Sequence, residues 1–291
     1  MILKFIVKED KYSSINQILK TEFNLSNRLM TKLINNRMVI LNEKSCDTRI
    51  KPKINDVIMI YLDYEEDTFN VKPTKMNLDI VYEDEGILVI NKNAGMTVHP
   101  SLRHYYNSLS NGVRYYFDKI GLNKKIRPVN RLDKDTSGLV VFAKNEYIQE
   151  CLIKQMSNNV FKKEYLCIIS GRLEKRSGTI KLPIARKERS IIERCVKDDG
   201  QVAITHYDVI KEKENYSLVK CILETGRTHQ IRVHMSYIGH PLIGDTLYGC
   251  KSNLIARQAL HCYKLSFINP VSNERINLKC DLPSDMKFAI I

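Results

Sequence analysis

The sequence predicts an α+β protein: an antiparallel-rich mixed central sheet preceded by a small amino-terminal α/β module. Three observations carry that expectation. From residue 78 onward, short apolar runs bounded by turn residues recur with few helical patterns between them. The first 62 residues instead carry two helical stripes followed by two short strands. Between these segments, residues 63–77 mix charge runs with a proline and show no hydrophobic periodicity, as a linker does.

In the first segment Ile15, Ile18, Leu19 and Phe23 recur at helical spacing. Ser26 is placed to cap a second helix carrying Leu29, Met30, Leu33 and Ile34. Strands are expected at residues 38–41 and 57–60, set off by turns at Asn42 and at Asn55-Asp56. From Leu78, two apolar stretches flank Asp84-Glu85-Gly86, and Ala94-Gly95 opens a loop running to His99-Pro100. Residues 139–143 form an uninterrupted apolar run, the pattern of a buried strand. Asn145 can cap a helix with Ile148, Leu152, Ile153 and Met156 on one face. Strands follow at about 165–170, 203–209 and 216–224. Thr225-Gly226 ends the last of them, Thr228 is placed to cap another helix, and Gly239 with Pro241 stops it. Within that helix Ile231, Met235 and Ile238 make the buried stripe, with Arg232 off it.

The chain has 291 residues, 43% apolar and 27% charged, the composition of an ordinary globular protein. Its 46 Lys and Arg outnumber 33 Asp and Glu, a net charge of +13 with pI near 9.3. Such a surplus fits a polyanionic partner, most simply nucleic acid, and also a generally basic soluble protein. Both segments share it: residues 1–62 hold 11 basic and 6 acidic side chains, the remainder 35 and 27. The cysteines at 46, 151, 167, 195, 221, 250, 262 and 280 show no CxxC spacing, so free thiols are expected rather than a zinc site or disulfide framework. The opening MILKFIVKED turns charged at Lys8, unlike a signal peptide, and no run reaches membrane-spanning length. A cytoplasmic protein with no membrane partner is expected.

The stretch of greatest chemical interest is residues 130–144, NRLDKDTSGLVVFAK. It sets Asp133 between Arg131 and Lys134, then a Thr-Ser-Gly turn, then the buried run. Neighbouring cations favour the charged form of a carboxylate, the form that a nucleophile or base requires. This stretch resembles the HRLDxxTSG signature of the RluA-type pseudouridine synthases, with Asn130 in place of the histidine. Residues 223–245, LETGRTHQIRVHMSYIGHPLIGD, resemble the TGRxHQIRxH motif of the same family. Lys163-Glu164-Tyr165 resembles its K-x-Y segment, and YEDEGILVINKNAGMTVHPS its first block, with Asn93 where the family has proline. Residues 12–62 resemble the small RNA-binding module shared with a ribosomal small-subunit protein (the S-four-like domain), with Asn36 and Asn55 at its usual glycine positions.

The resemblance implies an S-four-like domain over residues 1–65, a linker over 66–77, and a catalytic domain of the pseudouridine synthase fold over 78–291. It implies an enzyme that detaches a uracil from its ribose, rotates it and rejoins it through a ring carbon, with no metal and no cofactor. Carried over by motif, Asp133 is the catalytic residue and Arg232 its bidentate partner. Tyr165 packs on the target base, and Arg131 fills the gap left by the flipped nucleotide. The implied partner is RNA, ribosomal RNA of the large subunit before transfer RNA, and the protein is expected to be a monomer. Because Asn130 cannot titrate as histidine does and Asn93 loosens a second loop where the family has proline, a catalytically silent RNA-binding or ribosome-assembly paralogue stays open as an alternative. A third reading, an Asp-dependent nucleoside hydrolase, lacks a second motif carboxylate.

Overall fold

A computed structural model describes residues 1–64, 66–68, 71–101 and 104–290. The expected boundary at Glu65, and Phe69 and Asn70 of the expected linker, fall outside the described residues. The chain opens with β1 (Ile2–Ile6), α1 (Ile15–Thr21), α2 (Asn27–Asn35), β2 (Val39–Leu41), β3 (Lys44–Ser45) and β4 (Val57–Tyr61). These strands form an antiparallel four-stranded sheet in the order β1-β4-β2-β3. Both helices start where a hydroxyl satisfies an orphan N–H: Ser14 accepts from Gln17 and Ser26 from Leu29. Ile15, Ile18, Leu19, Leu29 and Leu33 are fully buried, as their spacing predicts. The first strand was not foreseen. β1 lies in the opening MILKFIVKED segment and pairs along the whole of β4.

The expected linker contains no strand or helix among its described residues, yet it is fastened. The Glu66 carboxylate pairs with Arg127, and Asn111 Nδ2 donates to the Lys72 carbonyl at 2.7 Å. The small sheet's helices also reach the next part of the chain: Ser26 Oγ donates to Glu150 at 2.8 Å and Lys32 Nζ to Glu146 at 2.7 Å.

Beyond it come β5 (Ile80–Glu83), β6 (Ile87–Lys92), α3 (Leu109–Lys119), β7 (Arg127–Pro128), β8 (Ser137–Ala143) and α4 (Glu146–Ser157). They are followed by β9 (Lys162–Ser170), β10 (Ser177–Lys181), β11 (Ile184–Arg186), β12 (Arg194–Val196), β13 (Ile204–Glu212) and β14 (Tyr216–Leu223). The chain closes with α5 (Gln230–Tyr237), β15 (Leu260–Ile268), β16 (Arg275–Lys279) and α6 (Ser284–Ile290). Ten of these strands make one sheet, β10-β13-β14-β9-β15-β8-β6-β5, with β16 added beside β15 and β7 beside β8. Among the described strands every pairing in it is antiparallel except β8 with β15. The antiparallel-rich mixed sheet is therefore as expected. Among the described residues no helix is long and apolar enough to cross a membrane.

β8 is the spine of the sheet. All seven of its residues are buried, and sealing each large apolar side chain contributes about 1.5–3 kcal/mol. Its second residue, Gly138, has φ +113°, and a Cβ there would lie 2.2 Å from the Cys262 carbonyl oxygen. Only glycine allows β15 to approach so closely. The resulting row of partners, Cys221–Tyr165–Cys262–Gly138–Lys92, crosses five strands. It sets the height at which the functional groups stand.

In α4 Ile148 and Leu152 are buried, but Ile153 is 45% exposed and leaves the expected face. α3, which lacks a long apolar run, was not foreseen. Leu109, Val113 and Phe117 bury its inner stripe.

Candidate active site

A cleft of ≈ 950 Å3 opens beside the start of β8. Its walls include Asn130, Arg131 and Asp133 before β8, Lys163 and Tyr165 from β9, and the turn 225–229 after β14. Three of the four residues singled out from the sequence thus line one cavity, and the fourth, Arg232, reaches Asp133 from behind.

Asp133 sits on a turn in which its carbonyl accepts from Thr136 N–H at 3.1 Å. Its side chain is 26% exposed and accepts from Arg232 Nη1 at 3.0 Å. Asn130, standing where the family has histidine, fastens this turn to the strand it precedes. Its Nδ2 donates to the Leu139 carbonyl at 3.1 Å and its Oδ1 accepts from Val141 N–H at 2.8 Å. The amide pairs one donor and one acceptor in a buried place, a task that needs no titrating ring.

A second clamp comes from below. Lys92 is 1% exposed, and its Nζ donates to the carbonyls of Asn93, Met96 and Lys134 at 2.8, 2.9 and 3.0 Å. Gly95 N–H also donates to the Lys134 carbonyl at 3.0 Å. The 92–96 loop and the Asp133 turn are therefore one unit. Burial pushes the Lys92 amine down to about 7, against the opposing charges of Asp135 and Asp133.

Arg232 differs from its sequence-based description in two ways. It is 6% exposed rather than on a free helical face, and its fork grips another acid. Nε and Nη2 bind Asp245 at 2.7 and 2.9 Å, leaving a single bond for Asp133. Burial alone would lower the arginine, but the hydrogen bonds and charge of Asp245, then of Asp133, raise it. Asp245, 1% exposed, also accepts from the N–H groups of Leu247 and Tyr248 at 3.0 and 3.3 Å. The Tyr248 ring covers the guanidinium at 5.0 Å. Neither residue was singled out, although Asp245 closes the 223–245 segment. Sequence offers no way to see that thirteen positions on from an arginine lies its grip.

The cap of α5 is His229, at φ 59°, and not Thr228. The left-handed backbone turns the ring into the cleft, where Nδ1 meets Tyr248 Oη at 2.8 Å and Nε2 stands 3.8 Å from Asp133. Burial lowers its pKa, with Asp133 opposing and Arg232 adding to the effect. The ring is therefore neutral at physiological pH.

Tyr165 is 6% exposed, and burial, with the Cys262 thiol and the Asp133 charge adding to it, pushes its phenol far up. It offers a ring face and a hydroxyl donor, not a base. Arg131 is exposed at the cleft wall and makes no ion pair or hydrogen bond among the described residues.

A family model described as RNA pseudouridylate synthase matches residues 86–237. An uncharacterized RNA pseudouridine synthase of Bacillus subtilis (YjbO) is 39% identical over 92% of this chain and 95% of its own length. A protein of Zymomonas mobilis named ribosomal large subunit pseudouridine synthase D is 37% identical over 89% of each chain. Among solved structures, human RNA pseudouridylate synthase domain containing 1 matches with a TM-score of 0.59 and 26% identity, over 70% of this chain and 83% of that one. Sheet, cleft and kinship together make the molecule an RNA-modifying isomerase. More narrowly, the chain belongs to the RNA pseudouridylate synthase family, among the RluA-type enzymes.

Proposed function

We propose that this synthase acts on uridines of large-subunit ribosomal RNA and that Asp133 performs the step at the sugar. The observation that carries the reading is a solvent-accessible carboxylate held at 3.0 Å by a buried guanidinium, at the wall of a cleft wide enough for an everted nucleotide. A base inside a stacked helix is out of reach, so the uridine must leave the stack. Tyr165 supplies the surface on which the base rests. Arg131, exposed and uncommitted beside Asp133, is the side chain free to enter the vacated space and to meet phosphate. The carboxylate then either attacks the anomeric carbon or removes a sugar proton; both routes need it ionised and aimed.

Residues 1–65 serve as an S-four-like RNA-binding domain and 78–291 as the catalytic domain, joined by the fastened 66–77 segment. The basic excess of both parts supplies affinity for the phosphate backbone without reading sequence. The ribosomal choice is supported by the relatives named for the large subunit.

The test is pseudouridine mapping in cells that lack the protein and carry either the wild-type chain or Asp133→Asn. One or more large-subunit sites should vanish without the protein, return with wild type and stay absent with the variant. Sites that return with the variant would remove Asp133 from its role. Loss confined to transfer RNA would move the substrate there.

A further inference from the structure

Lys163 carries a charge in this cleft to which nothing above gives a task. It precedes Tyr165 by two residues on β9, so the two side chains stand on the same face of the strand. Both line the cleft that holds Asp133. Two neighbouring lysines are committed, Lys92 to three carbonyls and Lys264 to Glu164, and Lys134 beside Asp133 is exposed to solvent. Lys163 has no hydrogen bond or ion pair among the described residues. Its ammonium lies against the turn after β14, where a Cβ on Gly226 would come within 3.2 Å of Nζ. The glycine leaves that space open. Burial lowers the lysine's pKa, opposed only weakly by the Cys262 thiol, and no carboxylate among the described residues pairs with it. An unanswered, largely buried cation is costly, and its position at a reaction cleft suggests that its counter-charge arrives with the substrate.

The reaction supplies such a charge. Whichever way Asp133 acts, the bond from the anomeric carbon to N1 breaks with its electron pair on N1. Asp133 forms a bond to that carbon or takes a sugar proton. The uracil is then a free anion, its charge spread over N1 and the two carbonyl oxygens. The charge disappears when C5 bonds the anomeric carbon and the proton displaced from C5 is balanced by one gained at N1.

We propose that Lys163 is a catalytic residue of this synthase, its ammonium holding the detached uracil anion by charge and by a hydrogen bond to a ring carbonyl while the base turns beside Tyr165. The proposal rests on the assignment of Asp133, and it holds for either route. A donor set in place before charge develops stabilises the transition state without reorganising.

The experiment is single-turnover consumption of uridine in unmodified large-subunit ribosomal RNA transcripts, made with uridine or with 5-fluorouridine. Fluorine at C5 withdraws electrons and stabilises the departing anion without help from the protein. Lys163→Met should lose about 10²–10³ in rate on the uridine transcript, the scale for one preorganised donor, with RNA affinity within about threefold of wild type. On the fluorinated transcript that deficit should shrink at least tenfold, and Lys163→Arg should keep most of the rate on both. Equal deficits on the two transcripts, or a deficit lying wholly in affinity, overturn the proposal. Should Lys163→Met fail to fold by circular dichroism, Lys163→Gln carries the same comparison. Asp133→Asn run alongside separates the two claims. If it consumes uridine, the Asp133 assignment falls; if it is silent while the Lys163 deficits are equal, only the lysine's role falls.

Discussion

Asp133 and Asp245 share one guanidinium and are treated by the fold in opposite ways. Asp245 is sealed, with two bonds from Arg232 and two from backbone N–H groups, so its acceptor capacity is spent. Asp133 takes one bond from the same arginine and keeps a quarter of its side chain in solvent. The first acid fixes the arginine; the arginine then fixes the second acid. A carboxylate meant for chemistry needs its direction set and its lone pairs left free, and a third residue bound on both sides achieves that.

Removing the shared group should have the largest effect. Arg232→Gln strands Asp245 in the interior, and breaking a buried ion pair from one side costs about 3–5 kcal/mol. Denaturant unfolding should show that loss, and single-turnover pseudouridine formation should fall at least 100-fold. A variant of wild-type stability would mean that Asp245 does not depend on the arginine.

The turn that carries Asp133 offers the next comparison. Asn130→Ala leaves the Leu139 carbonyl and Val141 N–H without partners in a buried place, a cost of about 1–3 kcal/mol. Activity should drop about tenfold, with RNA affinity preserved. Unchanged unfolding would show that the turn holds without it.

Lys92 gives the clearest pH signature. The unfolded chain keeps the Lys92 proton up to its ordinary 10.5, whereas the fold releases it at about 7. Between those values the unfolded state binds more protons, so this group's contribution to stability rises with pH and is lost as pH falls toward 7. Melting temperatures of wild type and Lys92→Met, measured from pH 7 to 10, should converge or cross in wild type's favour as pH rises. Parallel curves would show that the amine does not titrate there.

Much of this was legible in the sequence, for physical reasons. Helices with a hydroxyl cap and a clean stripe, such as that of Ser26, Leu29 and Leu33, announce themselves locally, as does the unbroken run of β8. The cleft was legible as segments: Asp133, Tyr165 and Arg232 were each marked out in stretches far apart in the chain. What sequence could not show was who holds whom. Asp245 and Lys92 act through partners fixed only when β6, β8 and the turn after α5 are assembled. His229 required a left-handed backbone at a residue that carries no local signal for one. α3 was missed because its stripe of Leu109, Val113 and Phe117 is thin and interrupted by Gly112.

The most direct measurement sets Asp133→Asn beside Asp245→Asn, each followed by thermal melting and by single-turnover pseudouridine formation on large-subunit ribosomal RNA. The account predicts that Asp133→Asn melts like wild type and forms no product, while Asp245→Asn melts markedly lower and retains residual turnover. An Asp133→Asn enzyme that still forms pseudouridine, or an Asp245→Asn enzyme that is silent at wild-type stability, would contradict it.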